Sequence, residues 1–217
     1  MHSKENICKY CLETNRNRMN RRTFFANSVG RTAGLSLLAL PGIHAGIPTA
    51  QEIKSKDEVF AGLDAKADRF MKMYGSCAMS SFAALNEQFR LNEDRMVAAM
   101  RPFTGGVAGK GETCGAVSGS MLALGILFES MDQGKKKQAG SSMKLGGLFY
   151  DRFEKEFGST RCREVVKHQY GRYFDFNSPD GLKEFMAASR EKGDRCLDVV
   201  KAATHMVTEI FMQYGPV

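Results

Sequence analysis

The chain has 217 residues and a mass of 24.0 kDa, with 43% hydrophobic residues, 25% charged residues and no Trp. This composition is typical of a globular protein and excludes wholesale disorder, collagen-like repeats and a multi-span membrane protein. The formal net charge is +7, of which residues 1–50 carry +5 (seven Lys or Arg against two Glu) and residues 51–217 only +2. We therefore expect no nucleic-acid partner for the folded part of the chain.

Residues 19–42 have the pattern of an export signal. The basic pair Arg21-Arg22 is followed by a short apolar stretch, Leu35–Leu40. Gly34 and Ser36 lower the hydrophobicity of its N-terminal side. The stretch is too short to cross a bilayer. The segment resembles a twin-arginine signal, which the twin-arginine translocase recognises and which serves the export of folded proteins.

We expect residues 1–50 to be this signal segment and residues 51–217 to form one helical redox domain. Cleavage after Ala45 or Ala50 would start the mature chain near Gln51, and an uncleaved anchor is the alternative. The mature protein is then periplasmic or otherwise extracytoplasmic. Redox or metal chemistry at an N-terminal CxxC motif is disfavoured, because the motif, which holds Cys8 and Cys11, precedes the signal. Met19 is an alternative start, in which case residues 1–18 are not translated.

Beyond residue 51 the apolar residues recur at helical spacing, and no run alternates strictly between apolar and polar residues. We expect an all-α fold, a single compact bundle of about seven to eight helices. The segment Met121–Phe128 is apolar nearly all round, which predicts a central helix. Residues 132–147 are predicted to form a solvated loop. The predicted helices are residues 57–73, 77–90, 93–102, 115–132, 144–157, 162–172, 180–191 and 194–213.

Each of the four remaining cysteines begins a predicted helix, two to four residues after a glycine. The N–H groups and the dipole of a helix N-terminus favour a thiolate over a thiol and stabilise anions. Four such thiolates suit an iron–sulfur cluster, of either the [2Fe–2S] or the [4Fe–4S] type. The candidate cofactor and metal ligands are Cys77, Cys114, Cys162 and Cys196.

The spacing of these cysteines leaves other interpretations open. They are 37, 48 and 34 residues apart, without the close ligand pairs usual in structural zinc sites. Two disulfides, or a reversible dithiol, would also use four cysteines in an exported protein. His168 and His205 lie on predicted helices where either could approach the cysteines. We leave both out of the ligand set, because a lone helical His is more often a surface or core residue.

The sequence around Cys114 resembles a known family. It reads Glu112-Thr113-Cys114-Gly115-Ala116-Val117-Ser118-Gly119, after a Phe103-Thr104-Gly105-Gly106 segment. With the other three cysteines, this resembles the redox-active family named C_GCAxxG_C_C, over roughly residues 60–200. The resemblance implies a redox role without a defined reaction.

The same arrangement also resembles the iron–sulfur part of split-Soret cytochromes, which implies that the four cysteines are cluster ligands. The chain lacks the C-x-x-C-H motif of those cytochromes, so we expect no covalent haem.

We therefore expect an exported iron–sulfur protein that transfers electrons to a redox partner protein not identified by the sequence. A metal-free thiol–disulfide redox protein is the alternative, and a disulfide-stapled binding domain is a third, non-redox interpretation. Enzymatic turnover and homo-oligomer formation are both left open. The glycines at 105, 106, 109 and 111 are expected to form a tight loop, and those at 115 and 119 to permit close packing.

Overall fold

The computed structural model describes residues 55–133 and 141–215. The predicted signal segment, residues 1–50, lies outside these ranges. Within them the chain forms eight α-helices, and its one β-type contact is an isolated bridge between Thr113 and Arg161. The prediction of a compact all-α bundle is thus confirmed. None of the described helices combines the length and the apolar character that crossing a bilayer requires.

A 3-10 turn, Arg101–Phe103, follows the third helix, in the longest connection that the structure describes, residues 100–114. The helices are α1 (Lys56–Tyr74), α2 (Cys77–Phe89), α3 (Asp94–Ala99), α4 (Gly115–Gln133), α5 (Ser141–Phe157), α6 (Cys162–Tyr170), α7 (Pro179–Lys192) and α8 (Arg195–Tyr214).

Two predicted boundaries were wrong. The helix predicted at 93–102 ends at Ala99 and continues as the 3-10 turn, because Pro102 lacks the N–H group that an α-helix needs. At both ends the loop predicted at 132–147 is helical, because α4 extends to Gln133 and α5 begins at Ser141. Gly146 and Gly147 disfavour a helix locally. Burial of Leu145 and Phe149 in the core outweighs that preference.

The hydrophobic core lies among α1, α2, α4, α5 and α8. As expected of a central helix, α4 contacts α2, α5 and α8. The closest packing is between α2 and α4, where a Cβ atom at Gly119 would collide with the carbonyl oxygen of Ala78. Glycine therefore lets the two helices approach closely and sets their N-termini side by side. The fully buried aromatic residues of the core are Phe82, Phe89, Phe128, Phe149, Phe153 and Phe211.

α7 is attached differently from the other long helices. It has no buried residue and takes no part in the main helix–helix contacts of the described chain. Its principal anchor is Phe185, whose ring meets those of Tyr170, Phe174 and Phe176 edge-on, with centroids 5.5, 5.6 and 5.0 Å away. α7 thus rests on an aromatic cluster beside the core.

Candidate functional site

The four cysteines lie at helix N-termini, as predicted. Cys77 and Cys162 are the first residues of α2 and α6, Cys114 directly precedes α4, and Cys196 is the second residue of α8. Three of them, Cys77, Cys162 and Cys196, line one cavity of about 390 Å³, and the thiol of Cys114 is hydrogen-bonded to Cys77. The fold therefore gathers cysteines from four separate parts of the chain. We call these four residues the cysteine site.

The cysteine site has a buried side and a more open side. Cys114 and Cys162 are each 4% exposed, whereas Cys77 and Cys196 are half-buried. All four are free thiols in the structure. A group bound here would therefore face the protein interior at Cys114 and Cys162. It would face the more open side at Cys77 and Cys196.

Helix N-termini supply hydrogen-bond donors to the sulfur atoms. The backbone N–H groups of Cys77 and Ala78, at the start of α2, and of Ala116, at the start of α4, point to the sulfur of Cys77. The Ala116 N–H also reaches Cys114. Ser76 caps α2, accepting a hydrogen bond from the N–H of Met79 at 3.3 Å. These are the anion-stabilising groups on which the sequence-based prediction depended.

Backbone pairing holds Cys114 next to Cys162. The N–H of Cys114 donates to the carbonyl of Thr160 at 2.8 Å, and the N–H of Cys162 donates to the carbonyl of Glu112 at 2.5 Å. The Glu112 carboxylate also forms ion pairs with Arg161 at 2.9 Å and Arg163 at 3.2 Å. Because these ion pairs are solvent-exposed, the backbone hydrogen bonds contribute most to fixing the two helix starts.

The glycine loop, residues 104–111, forms one wall of the cavity. Five consecutive residues, Gly105–Gly109, have positive φ angles between 52° and 75°. Glycine is required at Gly106, because a Cβ atom there would lie 2.5 Å from the Cβ of Cys162. Val107 and Ala108 adopt the same left-handed conformation at a cost of about 1–2 kcal/mol each. The tight loop predicted from its glycines is confirmed, and it extends to two residues that sequence reasoning did not single out.

Neighbouring thiols in the site have pKa values that are shifted in opposite directions. The hydrogen bond from Cys114 lowers the pKa of Cys77, and the helix N–H groups act in the same direction. That same hydrogen bond raises the pKa of Cys114 well above its usual value, as do burial and repulsion from Cys77 and Cys162. Burial raises the pKa of Cys162 to about 12. Burial and the negative charge on Cys77 also raise the pKa of Cys196. Burial and mutual repulsion therefore oppose four thiolates at this site, and a bound cation would offset that cost.

The two histidines lie away from the cysteine site. His168 is exposed on α6. The Nε2 atom of His205 is 2.7 Å from Oδ1 of Asp64, and its ring stacks on Phe60 with centroids 4.1 Å apart. Neither histidine lines the cavity.

Among the residues that the structure describes, no three His, Cys, Asp or Glu side chains are arranged to hold one metal ion. The role of the four cysteines as cluster ligands stays a prediction.

The outer part of the cavity was not anticipated from the sequence. Arg101 lines it together with Leu182, Phe185 and Met186 of α7. The spacing of these three apolar residues, three and four positions apart, places them on one face of α7. That apolar stripe lies just before Cys196 in the chain. It is the sequence signal that could have predicted an apolar surface next to the cysteine.

Comparison with known proteins identifies the family. The model of the family described as "Putative redox-active protein (C_GCAxxG_C_C)" matches residues 75–210, a range that contains all four cysteines. The chain belongs to this family. Membership confirms the resemblance given by the Cys-Gly-Ala-x-x-Gly motif, and the family's description supports a redox role.

One relative of the C_GCAxxG_C_C protein is an uncharacterized protein of Archaeoglobus fulgidus. The two are 41% identical over 100 residues, which cover 42% of this chain and 64% of the relative. The match thus spans less than two thirds of the relative's length. No solved structure matches the chain.

Proposed function

We propose that this protein binds an iron–sulfur cluster through Cys77, Cys114, Cys162 and Cys196 and transfers electrons outside the cytoplasm. The observation that carries the proposal is the meeting of four helix-start cysteines, three of which line one cavity while the fourth, Cys114, contacts Cys77. When bound, the cluster would supply one-electron chemistry at a potential set by burial and by hydrogen bonds to sulfur. The family's redox description supports the same class of function.

The residues present fit such a group. Four cysteines are the common ligand set of both cluster types. Two glycines allow the backbone to approach the sulfur ligands closely: a Cβ atom at Gly115 would lie 2.6 Å from the sulfur of Cys77, and one at Gly106 would meet the Cβ of Cys162. The N–H groups at the starts of α2 and α4 offset negative charge on sulfur.

The surrounding residues would control access and orientation. The hydroxyl of Ser76, 2% exposed, is 2.6 Å from that of Thr104, a contact that fixes the start of α2 against the glycine loop. Burial of Cys114 and Cys162 keeps water from one side of the site. Electrons would therefore pass most directly through the more open side, at Cys77 and Cys196.

A metal-free thiol–disulfide protein is the second candidate, and the contact between Cys77 and Cys114 favours it. These two thiols are hydrogen-bonded, with the pKa of one lowered and that of the other raised. A nucleophilic thiolate beside a protonated thiol suits disulfide exchange. This mechanism uses two cysteines and gives no role to Cys162 or Cys196, which line the same cavity.

The two candidates differ in iron content. The test is to produce the protein with cluster-assembly support, purify it without oxygen, and measure iron, acid-labile sulfide and the visible spectrum. The proposal expects near-stoichiometric iron and sulfide, with large losses in each single variant C77S, C114S, C162S and C196S. The control is the double variant C8S/C11S, which keeps every cysteine of the site. Colourless, iron-free wild-type protein with two reversibly oxidised thiols would support the second candidate.

We further propose export by the twin-arginine translocase, on the strength of Arg21-Arg22 and the weak apolar stretch that follows. Fractionation of cells that produce the full chain tests this. The R21K/R22K variant should accumulate in the cytoplasm and the wild type outside it. Equal export of both proteins would contradict the proposal.

A further inference from the structure

The cavity at the cysteine site has two chemically different ends. One end holds Cys77, Cys162 and Cys196. The other end is apolar and partly aromatic. The volume of about 390 Å³ covers both ends together, the space beside the cysteines included. The apolar end is lined by Met71, Val166, Phe176, Leu182, Phe185 and Met186.

α7 forms much of the apolar end. Leu182 and Met186 are 48% and 49% exposed, and they flank the anchoring ring of Phe185. Large apolar side chains left half-exposed around a concave space mark a ligand-binding surface. The glycine loop also lines the cavity, through Gly105, Ala108 and Gly109, which have small side chains or none. The rings of Phe176 and Phe185 in the same lining favour an aromatic molecule, because aromatic rings pair edge-on or offset-stacked.

A single charged side chain lines the cavity, that of Arg101. Within residues 55–133 and 141–215, its guanidinium has no acidic partner at ion-pair distance. A guanidinium without an ion-pair partner in a largely apolar pocket would fix the orientation of a ligand carrying one anionic group.

We propose that the outer end of this cavity binds an aromatic molecule bearing one anionic group, next to the cysteine site. The rings would lie between α7 and the glycine loop, and the anionic group would face Arg101. The inference rests on the proposed function in one respect. If the protein transfers electrons, this small molecule would be a redox partner, in place of a purely protein one. A protein surface would contact the rim, but it would not fill the concave space behind α7.

Two isosteric probes, 2-naphthoate and 2-naphthamide, test the inference by calorimetry on the anaerobically purified protein, with iron measured in every sample. We expect saturable 1:1 binding of both, with 2-naphthoate the tighter. Leu182→Glu should weaken both probes by about tenfold or more, because it puts a charge into the apolar end. Arg101→Gln should weaken 2-naphthoate by about fivefold to tenfold and leave 2-naphthamide unchanged.

The matched control is Met143→Glu, which adds the same charge at an 80% exposed Met on α5. It should bind both probes as the wild type does. Loss of binding in this control equal to that in Leu182→Glu would overturn the inference, because the probes would then be binding non-specifically. An Arg101→Gln variant that affects both probes equally would overturn the assignment of Arg101 to the anionic group.

The iron measurements separate this inference from the proposed function. Iron-loaded protein that binds neither probe overturns the inference and leaves the cluster proposal standing. Binding that is seen only after iron removal also overturns it, since the probe would then occupy the cluster's own space. Iron-free wild-type protein with the expected pattern across the variants supports the ligand site and contradicts the cluster.

Discussion

Replacing Gly115 with Ala tests whether the close approach of α2 and α4 sets the cysteine site. The new Cβ atom would lie 2.6 Å from the sulfur of Cys77, 2.9 Å from the backbone nitrogen of Ala78 and 3.0 Å from its Cβ. Two of these three atoms belong to the rigid start of α2, so rotation of the Cys77 side chain cannot relieve the contact. The starts of α2 and α4 must separate, and overpacking of this kind costs about 1–3 kcal/mol.

A control for this substitution lies on the same helix. A Cβ atom added at Gly125, ten positions along α4, would have open space within 4 Å. Ala at this helix-interior position should therefore stabilise the protein by about 0.5–1 kcal/mol, since it loses less backbone entropy on folding than Gly. The same change, Gly to Ala, is thus expected to have opposite signs at the two positions.

Thermal unfolding followed by circular dichroism measures both effects. A change of 1 kcal/mol shifts the midpoint by about 2–4 °C in a protein of this size. Gly115→Ala should therefore melt several degrees below the wild type and Gly125→Ala slightly above it. Iron per chain should fall in Gly115→Ala alone, because separation of the helix starts moves Cys77 from Cys114. A Gly115→Ala protein with wild-type melting and full iron would refute the reasoning.

Three further predictions concern other parts of the site. Gly106→Ala should reduce iron content and stability far more than Gly158→Ala, since the two positions have φ of 72° and 73° but only Gly106 has atoms within 4 Å of the new Cβ; iron assay and melting of both variants check this. In metal-free protein, burial raises the pKa of Cys162 from 9.0 to about 12, so the folded state keeps a proton that the unfolded chain loses. The free energy of unfolding should then fall as pH rises through that interval, by on the order of 1 kcal/mol per pH unit. Urea unfolding at several pH values measures this, and the fall with pH should be smaller in Cys162→Ser. Phe185→Ala should speed tryptic cleavage within α7 with little change in the melting of the core, because Phe185 is the helix's aromatic anchor; equal cleavage rates would contradict this mode of attachment.

Local rules explain why much of the site could be predicted from the sequence. Each cysteine follows a glycine and a capping or turn residue, and these signals act over a few residues. The structure accordingly has Cys77 and Cys162 as the first residues of their helices and Cys196 as a second residue. The contact between Cys77 and Cys114 could not be predicted in this way, because it depends on how closely α2 and α4 pack, and Gly119 makes that approach possible.

The apolar end of the cavity was missed for a related reason. Leu182, Phe185 and Met186 form a stripe that, from sequence alone, is typical of a helix packed on the core. In the structure α7 has no buried residue, and the same stripe faces the cavity. Periodicity predicts which side chains share a face, but the neighbour of that face is decided by distant parts of the chain, here the glycine loop and the start of α6.

The position of the core bears on how the protein would acquire a cluster. Its large buried side chains lie along α1, α2, α4, α5 and α8, whereas the cysteines occupy helix starts. A classical zinc finger, in contrast, has too little core to fold without its metal. The backbone bonds between Cys114 and Thr160 and between Cys162 and Glu112 form without any contribution from sulfur. The cysteine site is therefore organised by the fold itself, so the chain does not need the proposed cluster in order to fold. Folding and loading before export is the order that the proposed twin-arginine route would use.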